Sequence, residues 1–345
     1  EYTTKKFSYS LNELAFKTYP TRNLYSFVFE RSKQLLHTSS RISMIVQISS
    51  ISTPNMEAMV EEILRDSHNN WLSNYATRPA YLFEGVTMNL TIIISEILRT
   101  NIPSSPNIFA SHYLRWNPEY RDILFKNIPY NEVHKNKLLF KYAVPKLSIS
   151  KENEILSKLI YQKKEISQYL EPKNKSKEEL FYRTAGGRYF KIFFDRNFES
   201  ESKSNKSKFF RRDYNVYVFI SVLSSNLWWW YYTLHFDMYN CKDYMMFSFS
   251  FDYSKCKNLT KLKDLGIQLC NDLNVNAERK MQSYTTTGER MQLIFRPSLS
   301  KSIIDEIDII LADHYGLSLE ELDFIINYDI KFRMGKELDN GEDDE

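Results

Sequence analysis

The first hundred residues alternate between stretches in which apolar side chains recur at helical spacing and short runs that are almost wholly apolar. Residues 23–36 predict a helix whose buried stripe is Leu24, Phe27, Val28 and Leu35. The short apolar runs predict strands at 41–48, 71–75 and 89–95. Alternation of this kind predicts an α/β fold with a layered sheet.

A second helix, between the first two predicted strands, has a clear start signal. Thr53 can cap it, and Pro54 occupies its first turn, where a missing N–H costs nothing. The apolar positions that follow give its expected buried face: Met56, Met59, Val60, Ile63 and Leu64.

The middle of the chain predicts fewer regular elements. Residues 103–145, with scattered aromatics and five prolines, have the pattern of a connector, and residues 150–164 predict a helix. The most apolar region, 216–232, is broken by serines and an asparagine. It is too short and too interrupted to span a bilayer and indicates a buried element of a soluble domain.

Two helix signals lie near the end of the chain. Residues 302–311 are amphipathic and predict a helix, which Gly316 stops. A capping box formed by Ser318 and Glu321 then predicts the start of another helix.

The composition bounds the class of protein. Aromatic residues make up 15% of the chain, with 24 Tyr and 23 Phe, which is enough to build sizeable cores. The three cysteines are widely spaced and odd in number, so they indicate neither a disulfide framework nor a metal clip, and a cytoplasmic location is expected. The six histidines are scattered singly, and no metal site is predicted.

The formal net charge of +3 is unevenly distributed. Residues 336–345 hold six acids and one lysine, a net charge of −5, so residues 1–335 carry +8. The acidic tail is expected to be disordered, whereas the basic body is compatible with a nucleic-acid partner. The polar segment 199–212 concentrates lysines and arginines beside Phe209 and Phe210. It is either a solvated loop or a loop that faces DNA.

Three absences in the sequence argue against a complete active site in this chain. None of the eight glycines forms a G-x-G turn, which would let the backbone approach a nucleotide-like cofactor. No two prolines are adjacent, so the Asn/Asp-Pro-Pro-aromatic tetrapeptide of amino-group methyltransferases is missing. No nucleophile stands in a recognisable catalytic context.

Six segments of the chain, taken in order, match one pattern. They lie at 23–31, 35–48, 82–94, 185–191, 223–230 and 315–329. Together they resemble the adenine-N6 DNA methyltransferases of restriction–modification systems in which methyltransferase and target-recognition region share one polypeptide. The first three segments resemble the methyltransferase sheet, and the last three resemble the fused target-recognition region.

The resemblance implies a Rossmann-like sheet of seven strands, of which this chain keeps only the last three, neighbours on one side of the sheet. The catalytic tetrapeptide would lie shortly before Glu1, and the S-adenosylmethionine loop earlier still. S-adenosylmethionine would therefore be bound mainly by a missing amino-terminal half, and the chain would be inactive alone. The chain opens without an initiator methionine or a targeting segment, as a piece of a longer protein would.

The implied domains follow the same division. Residues 1–115 would be the carboxy-terminal half of the catalytic domain, and residues 116–149 a connector. Residues 150–335 would form a mixed α+β DNA target-recognition domain, before the acidic tail at 336–345. The expected partners are duplex DNA and the missing amino-terminal half, with no membrane.

The resemblance also assigns pocket-wall positions near the first helix. Asn23, Leu24 and Tyr25 align with a segment that helps to line the methyl-donor and target pockets. Packing in the core is the alternative for Leu24, and helix capping is the alternative for Asn23. Gly85 is expected to supply backbone freedom in the loop that leads into the last predicted strand.

A flipped adenine is usually held by an aromatic face, and the family has such a residue soon after its last strand. Phe109, Tyr113 and Trp116 lie in that window. We expect Tyr113 or Phe109 to form the wall, with Tyr113 the preferred candidate and ordinary packing the alternative for each.

DNA contacts are expected in two places. Arg183 and Arg188 flank the Gly186-Gly187 turn, where they either read DNA bases or form surface salt bridges. The basic residues of 199–212 complete the predicted DNA-binding set: Arg183, Gly186, Gly187, Arg188, Lys203, Lys206, Lys208, Arg211 and Arg212. The run Trp228–Trp230 either stacks on bases or belongs to the core.

The function implied by the resemblance is methyl transfer from S-adenosylmethionine to adenine N6 in a specific duplex sequence, with this chain supplying target recognition. The alternatives are a non-enzymatic DNA-binding specificity module that acts with a separate catalytic subunit, and a gene remnant without function.

Overall fold

The computed structural model describes residues 15–37, 39–100, 105–134, 138–172, 176–187, 189–198, 202–284 and 288–333. Arg188 and the acidic tail at 336–345 lie outside the described residues. The chain divides into two compact units. The first unit is Glu1–Leu156 with Thr233–Asp237, and the second unit is Ser157–Tyr232 with Met238–Glu345. Both combine helices and strands, so the predicted α/β class is confirmed.

The first unit is built on a five-stranded mixed sheet in the order β1-β3-β2-β4-β5. β3 runs antiparallel to both of its neighbours, and β2 runs parallel to β4. All three predicted strands are present and adjacent. The strands are β1 (Ser39–Gln47), β2 (Ser67–Tyr75), β3 (Leu90–Leu98), β4 (Asn107–Leu114) and β5 (Asn131–Glu132).

Two predicted helices of the first unit, α1 (Leu24–Gln34) and α2 (Glu57–Leu64), are confirmed. The alternation of burial along β1 shows which side of the sheet they cover. Ile42 and Val46 on one face are buried, whereas Ile45 on the other face is 45% exposed. Because adjacent strand residues point to opposite faces, the helices lie on the face of Ile42 and Val46.

Two details of these helices were predicted wrongly. Of the expected apolar stripe on α1, only Phe27 is buried; Leu24, Val28 and Leu35 are 43%, 53% and 69% exposed. The Thr53 side chain makes no cap hydrogen bond. Its hydroxyl donates instead to the Ser49 carbonyl at 2.9 Å, because a short 3-10 turn precedes α2.

The connector predicted from residue 103 contains a strand, β4. Burial along β4 does not alternate regularly, because the parallel pairing with β2 shifts register between Leu72 and Asn74. At that irregularity the Ser111 hydroxyl accepts a hydrogen bond from the Asn74 N–H at 2.9 Å, and the Ser111 carbonyl accepts from the Asn74 amide at 2.7 Å. A buried serine and asparagine thus complete a pairing that no local pattern indicates.

The second unit combines helices with two small sheets. One is a three-stranded sheet in the order β7-β6-β8, made of β6 (Glu179–Arg183), β7 (Phe193–Phe194) and β8 (Asn205–Phe209). The other is the antiparallel ribbon of β9 (Glu278–Tyr284) and β10 (Gly288–Ile294). The helices are α3 (Ser150–Tyr161), which begins in the first unit, α4 (Val216–Ser224), α5 (Asn226–His235), which ends in the first unit, α6 (Asp243–Phe247), α7 (Leu259–Val275), α8 (Lys301–Tyr315), α9 (Leu319–Asn327) and α10 (Ile330–Arg333).

Several predictions for this part of the chain are confirmed. Helix α8 ends at Gly316, whose φ of +67° is the left-handed conformation that a helix stop requires. The capping box of Ser318 and Glu321 starts α9 with both of its hydrogen bonds. The run Trp228–Trp230 is at most 1% exposed, so these rings belong to the core.

In the part of the chain that the structure describes, no helix is long and apolar enough to cross a membrane.

The close packing of α4 against α7 depends on Gly266. A Cβ atom at this position would lie 2.2 Å from the Tyr217 carbonyl oxygen and 2.9 Å from the Ser221 hydroxyl. Because the first obstacle is backbone, the two helices must move apart to admit a methyl group.

We expect Gly266→Ala to lower the free energy of unfolding by about 1–3 kcal/mol, the usual cost of overpacking a core. Gln268→Ala, at an exposed position on the same helix, should change it by less than about 0.5 kcal/mol. Urea unfolding of both variants measures the difference. Equal stability of the Gly266→Ala variant and the parent protein would contradict the packing argument.

Candidate pocket wall and DNA interface

Asn23 and Tyr25 converge on Met56. The Asn23 amide nitrogen lies 3.9 Å and the Tyr25 hydroxyl 3.6 Å from the Met56 sulfur. Asn23 stands at the N-cap position of α1 without capping it; its amide donates to the Thr21 carbonyl at 2.8 Å. Burial raises the pKa of Tyr25 to about 12, so the hydroxyl stays protonated at neutral pH. The pair therefore offers hydrogen-bonding groups beside a soft, polarizable sulfur.

Leu24 does not join this group. Its side chain is 43% exposed, so it is not packed in the core. Its role in a pocket wall stays a prediction.

The two preferred aromatic candidates point to opposite faces of the sheet. Phe109 pairs with Trp71 across β4 and β2 and stacks on its ring with centroids 5.9 Å apart. Phe109 is only partly buried. Trp71 and Ile45 occupy the same sheet face, opposite to α1 and α2, so Phe109 does not lie beside Asn23 and Tyr25.

Tyr113 is 2% exposed, and its hydroxyl donates to the Phe236 carbonyl at 3.3 Å. The Lys146 ammonium lies 5.4 Å from the centre of its ring. Both the edge and a face of Tyr113 are thus occupied within the protein, and stacking on a base would need Tyr113 to be uncovered. Trp116, 6% exposed, is similarly enclosed.

Lys146 is a buried cation that the sequence analysis missed. It is 1% exposed, and its ammonium donates to the Leu234 carbonyl at 3.0 Å. Burial lowers its pKa to about 7, against the opposing attraction of Asp237. The only hint in the sequence is that Lys146 stands between apolar residues and a proline, in the run Val144–Leu147.

The loop before β3 has the geometry that the sequence predicts. Gly85 has a φ of +74°, which gives the backbone freedom expected there. The guanidinium of Arg121 donates to the Leu82 carbonyl at 2.9 Å and holds the start of this loop.

The Gly186-Gly187 turn is exposed but is held by its own chain. The Lys191 ammonium donates to the Gly186 carbonyl at 2.6 Å. A Cβ atom at Gly187 would lie 2.2 Å from the Phe190 carbonyl oxygen, and the φ of +64° there favours glycine. Arg183 on β6 places its guanidinium 4.7 Å from the Phe198 ring centre. These contacts give Arg183, Gly186 and Gly187 roles within the fold. Contact between these residues and DNA stays a prediction.

The segment predicted as a basic loop contains the edge strand β8. The sequence pattern missed this strand because lysines occupy its alternate positions, where Lys206 pairs with Tyr182 and Lys208 with Leu180. An edge strand tolerates such charges, since one side of it is open to solvent. Lys203, which precedes the strand, and Lys206, which lies on it, are exposed, so positive charge lies at the protein surface there.

Lys208 and Arg211, two members of the basic set, have contacts within the protein, and Arg212 is adjacent to Arg211 in the sequence. The Lys208 ammonium lies 2.6 Å from one oxygen of the Asp243 carboxylate. The other oxygen of this carboxylate accepts a hydrogen bond from the Tyr182 hydroxyl at 2.5 Å. Arg211 is exposed and donates from Nε to the Leu170 carbonyl at 3.4 Å. Arg212, next to it, is exposed. Lys206 and Lys208 thus lie on β8, and Arg211 and Arg212 follow the end of this strand.

Comparisons with known proteins add a distant likeness only. No family model and no curated protein matches the sequence. A solved structure described as "ATP-dependent Type ISP restriction-modification enzyme LlaBIII bound to DNA" is similar over 85% of this chain and 33% of that chain, at 10% sequence identity and a TM-score of 0.32. The chain therefore spans about a third of the length of that enzyme. At this TM-score the likeness assigns neither a family nor an activity to the protein.

Proposed function

We propose that this chain is the target-recognition part of an adenine-N6 DNA methyltransferase and that residues upstream of it supply the chemistry. The observation that carries the proposal is the position of the three strands predicted from the sequence. They are neighbours in one sheet, as the resemblance to that family implies, and their order is β1-β3-β2. β1 lies at the edge of the described sheet, where the missing half would add its strands.

Binding of duplex DNA is supported by the charges along β8 and after it. Lys203, Lys206, Arg211 and Arg212 are exposed within ten residues of one another. Lysine and arginine side chains neutralise phosphates and release counterions, which supplies affinity that is independent of sequence. Such contacts position a protein on DNA, whereas contacts with base edges specify the target.

In the proposed reaction S-adenosylmethionine supplies the methyl group, and this chain contributes only part of the wall around it. Asn23 and Tyr25 are half-buried, so part of each residue stays open to a ligand. Phe109 has a partly exposed ring on the other face of the sheet, and its contact with an adenine that has left the base stack stays a prediction. No cofactor loop and no catalytic tetrapeptide are present in the sequence, so the chain alone lacks the groups that hold the reacting amino nitrogen.

The proposal is tested by assaying N6-methyladenine in duplex DNA with S-adenosylmethionine, using the chain alone and the chain with its natural upstream extension. We expect methylation by the extended protein only. Omission of S-adenosylmethionine and replacement of adenine by N6-methyladenine in the substrate should each abolish incorporation of the methyl group.

Three other outcomes of this assay would contradict the proposal or favour one of the alternatives. Methylation by the chain alone would contradict the assignment of the chemistry to upstream residues. Absence of methylation in both samples, with salt-dependent binding of duplex DNA, would favour a specificity module that acts with a separate catalytic subunit. Absence of both activities would favour a remnant without function.

A further inference from the structure

Three segments that lie far apart in the sequence meet in the second unit, and each contributes one tyrosine. The ring centres of Tyr169 and Tyr214 lie 4.7 Å apart, and those of Tyr214 and Tyr253 lie 5.1 Å apart. We call these three residues the tyrosine cluster. The fold thus brings together residues that the sequence separates. The three segments are 163–170, 209–214 and 249–257.

Tyr169, which is buried, connects the segments through hydrogen bonds. Its hydroxyl donates to the Phe251 carbonyl at 3.1 Å and accepts from the Tyr253 N–H at 3.0 Å. Its carbonyl accepts from the Arg211 N–H at 3.0 Å. Because these bonds join all three segments, the fold determines where the charged residues beside the tyrosine cluster lie.

Two lysines from different segments share one carboxylate beside this cluster. The Lys164 ammonium lies 3.2 Å from one oxygen of Asp252, and the Lys255 ammonium lies 3.7 Å from the other. We call Lys164 and Lys255 the lysine pair. Their side chains are 45% and 63% exposed, whereas that of Asp252 is 7% exposed. One negative charge lies beneath two positive charges, so the outer surface of this group is cationic.

The residues around the lysine pair add to its positive charge. Lys163, Lys257, Arg211 and Arg212 are exposed. The three segments together carry six cations and three acids, a formal net charge of +3. The acids are Glu165, Asp213 and Asp252.

This positive charge continues the charge of β8, because Arg211 and Arg212 follow the end of that strand. A polyanion complements such a surface. Duplex DNA carries one negative charge for about every 1.7 Å of its axis, so cations that are spread over several segments can each meet a phosphate.

We propose that the lysine pair binds phosphate groups of the duplex DNA backbone. Lysine, serine and tyrosine side chains are among those that bond to phosphate oxygens in complexes with DNA. The Ser254 hydroxyl accepts from the Lys164 ammonium at 3.3 Å, and the half-buried Tyr214 lies close enough to act on the charge of Lys164. The hydrogen bond and charge of Asp252 raise the pKa of Lys164, so its ammonium is charged at neutral pH.

This inference rests on the proposed function, because it assumes that the chain binds duplex DNA. It extends the DNA interface from β8 to two lysines for which no local sequence pattern indicates a DNA contact. Phosphate contacts fix the position of a protein on DNA without reading its sequence. The lysine pair would therefore strengthen binding to every duplex and leave the choice of target to other residues.

The test measures the affinity of the full chain for duplexes of about 30 base pairs, at salt concentrations between about 50 and 200 mM. Two duplexes of unrelated sequence are compared. Lys164→Gln and Lys255→Gln should each reduce the slope of log affinity against log salt by about 1, and the double variant by about 2. Near 0.1 M salt each substitution should weaken binding roughly tenfold, by the same factor for both duplexes.

Lys261→Gln is the matched control. It removes an exposed lysine from α7 whose charge is matched singly by Glu306 at 3.6 Å, so no excess positive charge is lost from a shared carboxylate. This variant should bind within about twofold of the parent value, the margin for surface changes. Lys206→Gln, on β8, reports separately on the contacts that the proposed function assigns to that strand. Thermal melting confirms that each variant is folded.

The outcomes separate the inference from the proposed function. If the parent chain binds no duplex, both fall together. If Lys206→Gln weakens binding and the lysine-pair variants do not, the inference is overturned while DNA binding at β8 stands. Weaker binding with an unchanged salt slope would mean that the lysines act through the fold and not on phosphates, which also overturns it. An equal effect of Lys261→Gln would assign the loss to overall charge, with the same consequence.

Discussion

Replacement of Arg333 by alanine is expected to lower the free energy of unfolding of the second unit by about 3–5 kcal/mol, the usual cost of breaking a buried polar network. Arg333 is 1% exposed. One of its terminal nitrogens donates to the Asn226 side chain, and Nε donates to the Tyr189 carbonyl at 3.3 Å. Its guanidinium also lies 4.8 Å from the Trp229 ring centre. Alanine removes these contacts at once and leaves polar acceptors without their donor.

The loss should depend on pH, because Arg333 acts on Asp308 through Asn226. The Asn226 amide donates to Asp308 at 2.8 Å, and the N–H groups of Asn226 and Leu227 each donate to it at 3.0 Å. Burial raises the pKa of Asp308 to about 7, and the charge of Arg333 opposes this rise. A raised folded pKa gives stability that is present below the unfolded value of 3.8 and is lost as pH rises through about 7. Removal of the cation makes the ionised form still less favourable, so Arg333→Ala should cost more at pH 8 than at pH 5.

Thermal unfolding at pH 5 and pH 8 measures both effects. A loss of 3–5 kcal/mol corresponds to a fall in Tm of roughly 10 °C for a unit of this size. Lys331→Ala is the matched control, since it removes a cation from an exposed position on the same helix, α10, and should shift Tm by no more than about 2 °C. An equal Tm shift for the two variants would show that Arg333 does not hold the network together.

The sequence predicts the regular elements of the first unit because local patterns determine them. The strands β1, β2 and β3 appear as apolar runs, and α1 and α2 appear as helical spacing. Elements whose stability comes from distant partners were missed. β4 depends on a bulged parallel pairing with β2, and β8 depends on buried partners in β6 beneath its lysines.

Burial was harder to predict than secondary structure. Leu24 and Val28 match the spacing of a buried stripe, yet both are exposed in the described chain. The pattern shows which residues share a helix face, but it does not show how much of that face the surrounding chain covers. If the chain is part of a longer protein, as proposed, the missing part would cover the apolar face of α1 near the edge strand β1.

The sequence names candidate site residues, but it does not determine how they are arranged. Asn23 and Tyr25 do lie together, because helix α1 presents both toward Met56. Phe109 and Tyr113 are four positions apart on one strand, which would place them on the same face of a regular strand. The register shift next to Ser111 places them on opposite faces instead, and no local sequence signal marks it.

Removal of the Lys146 charge is expected to change how the stability of the first unit depends on pH. Its pKa falls from 10.5 in the unfolded chain to about 7 in the folded protein. A depressed folded pKa gives stability that is present above the unfolded value and is lost as pH falls through the folded value. The parent protein should therefore become more stable, relative to a Lys146→Met variant, as pH rises from 7 toward 10.

The expected size of this change follows from the two pKa values. One pKa unit corresponds to about 1.4 kcal/mol, so the difference in unfolding free energy between parent and variant should shift by about 2 kcal/mol between pH 7 and pH 9. Methionine is chosen because it fills a similar volume without a charge. The Leu234 carbonyl keeps a donor in the variant, since the backbone N–H of Lys146 also donates to it at 3.0 Å.

Urea unfolding at pH 7, 8 and 9 measures the shift, and Lys141→Met is the control. The Lys141 side chain is 82% exposed and pairs only with Glu57 at 3.4 Å among the ion pairs of the described residues, so its removal should leave the pH profile parallel to that of the parent. Parallel profiles for Lys146→Met would mean that the lysine keeps an ordinary pKa inside the protein. A converging profile would show that the buried amine that donates to the Leu234 carbonyl is half-deprotonated near pH 7, so a negative charge supplied beside it would raise its pKa.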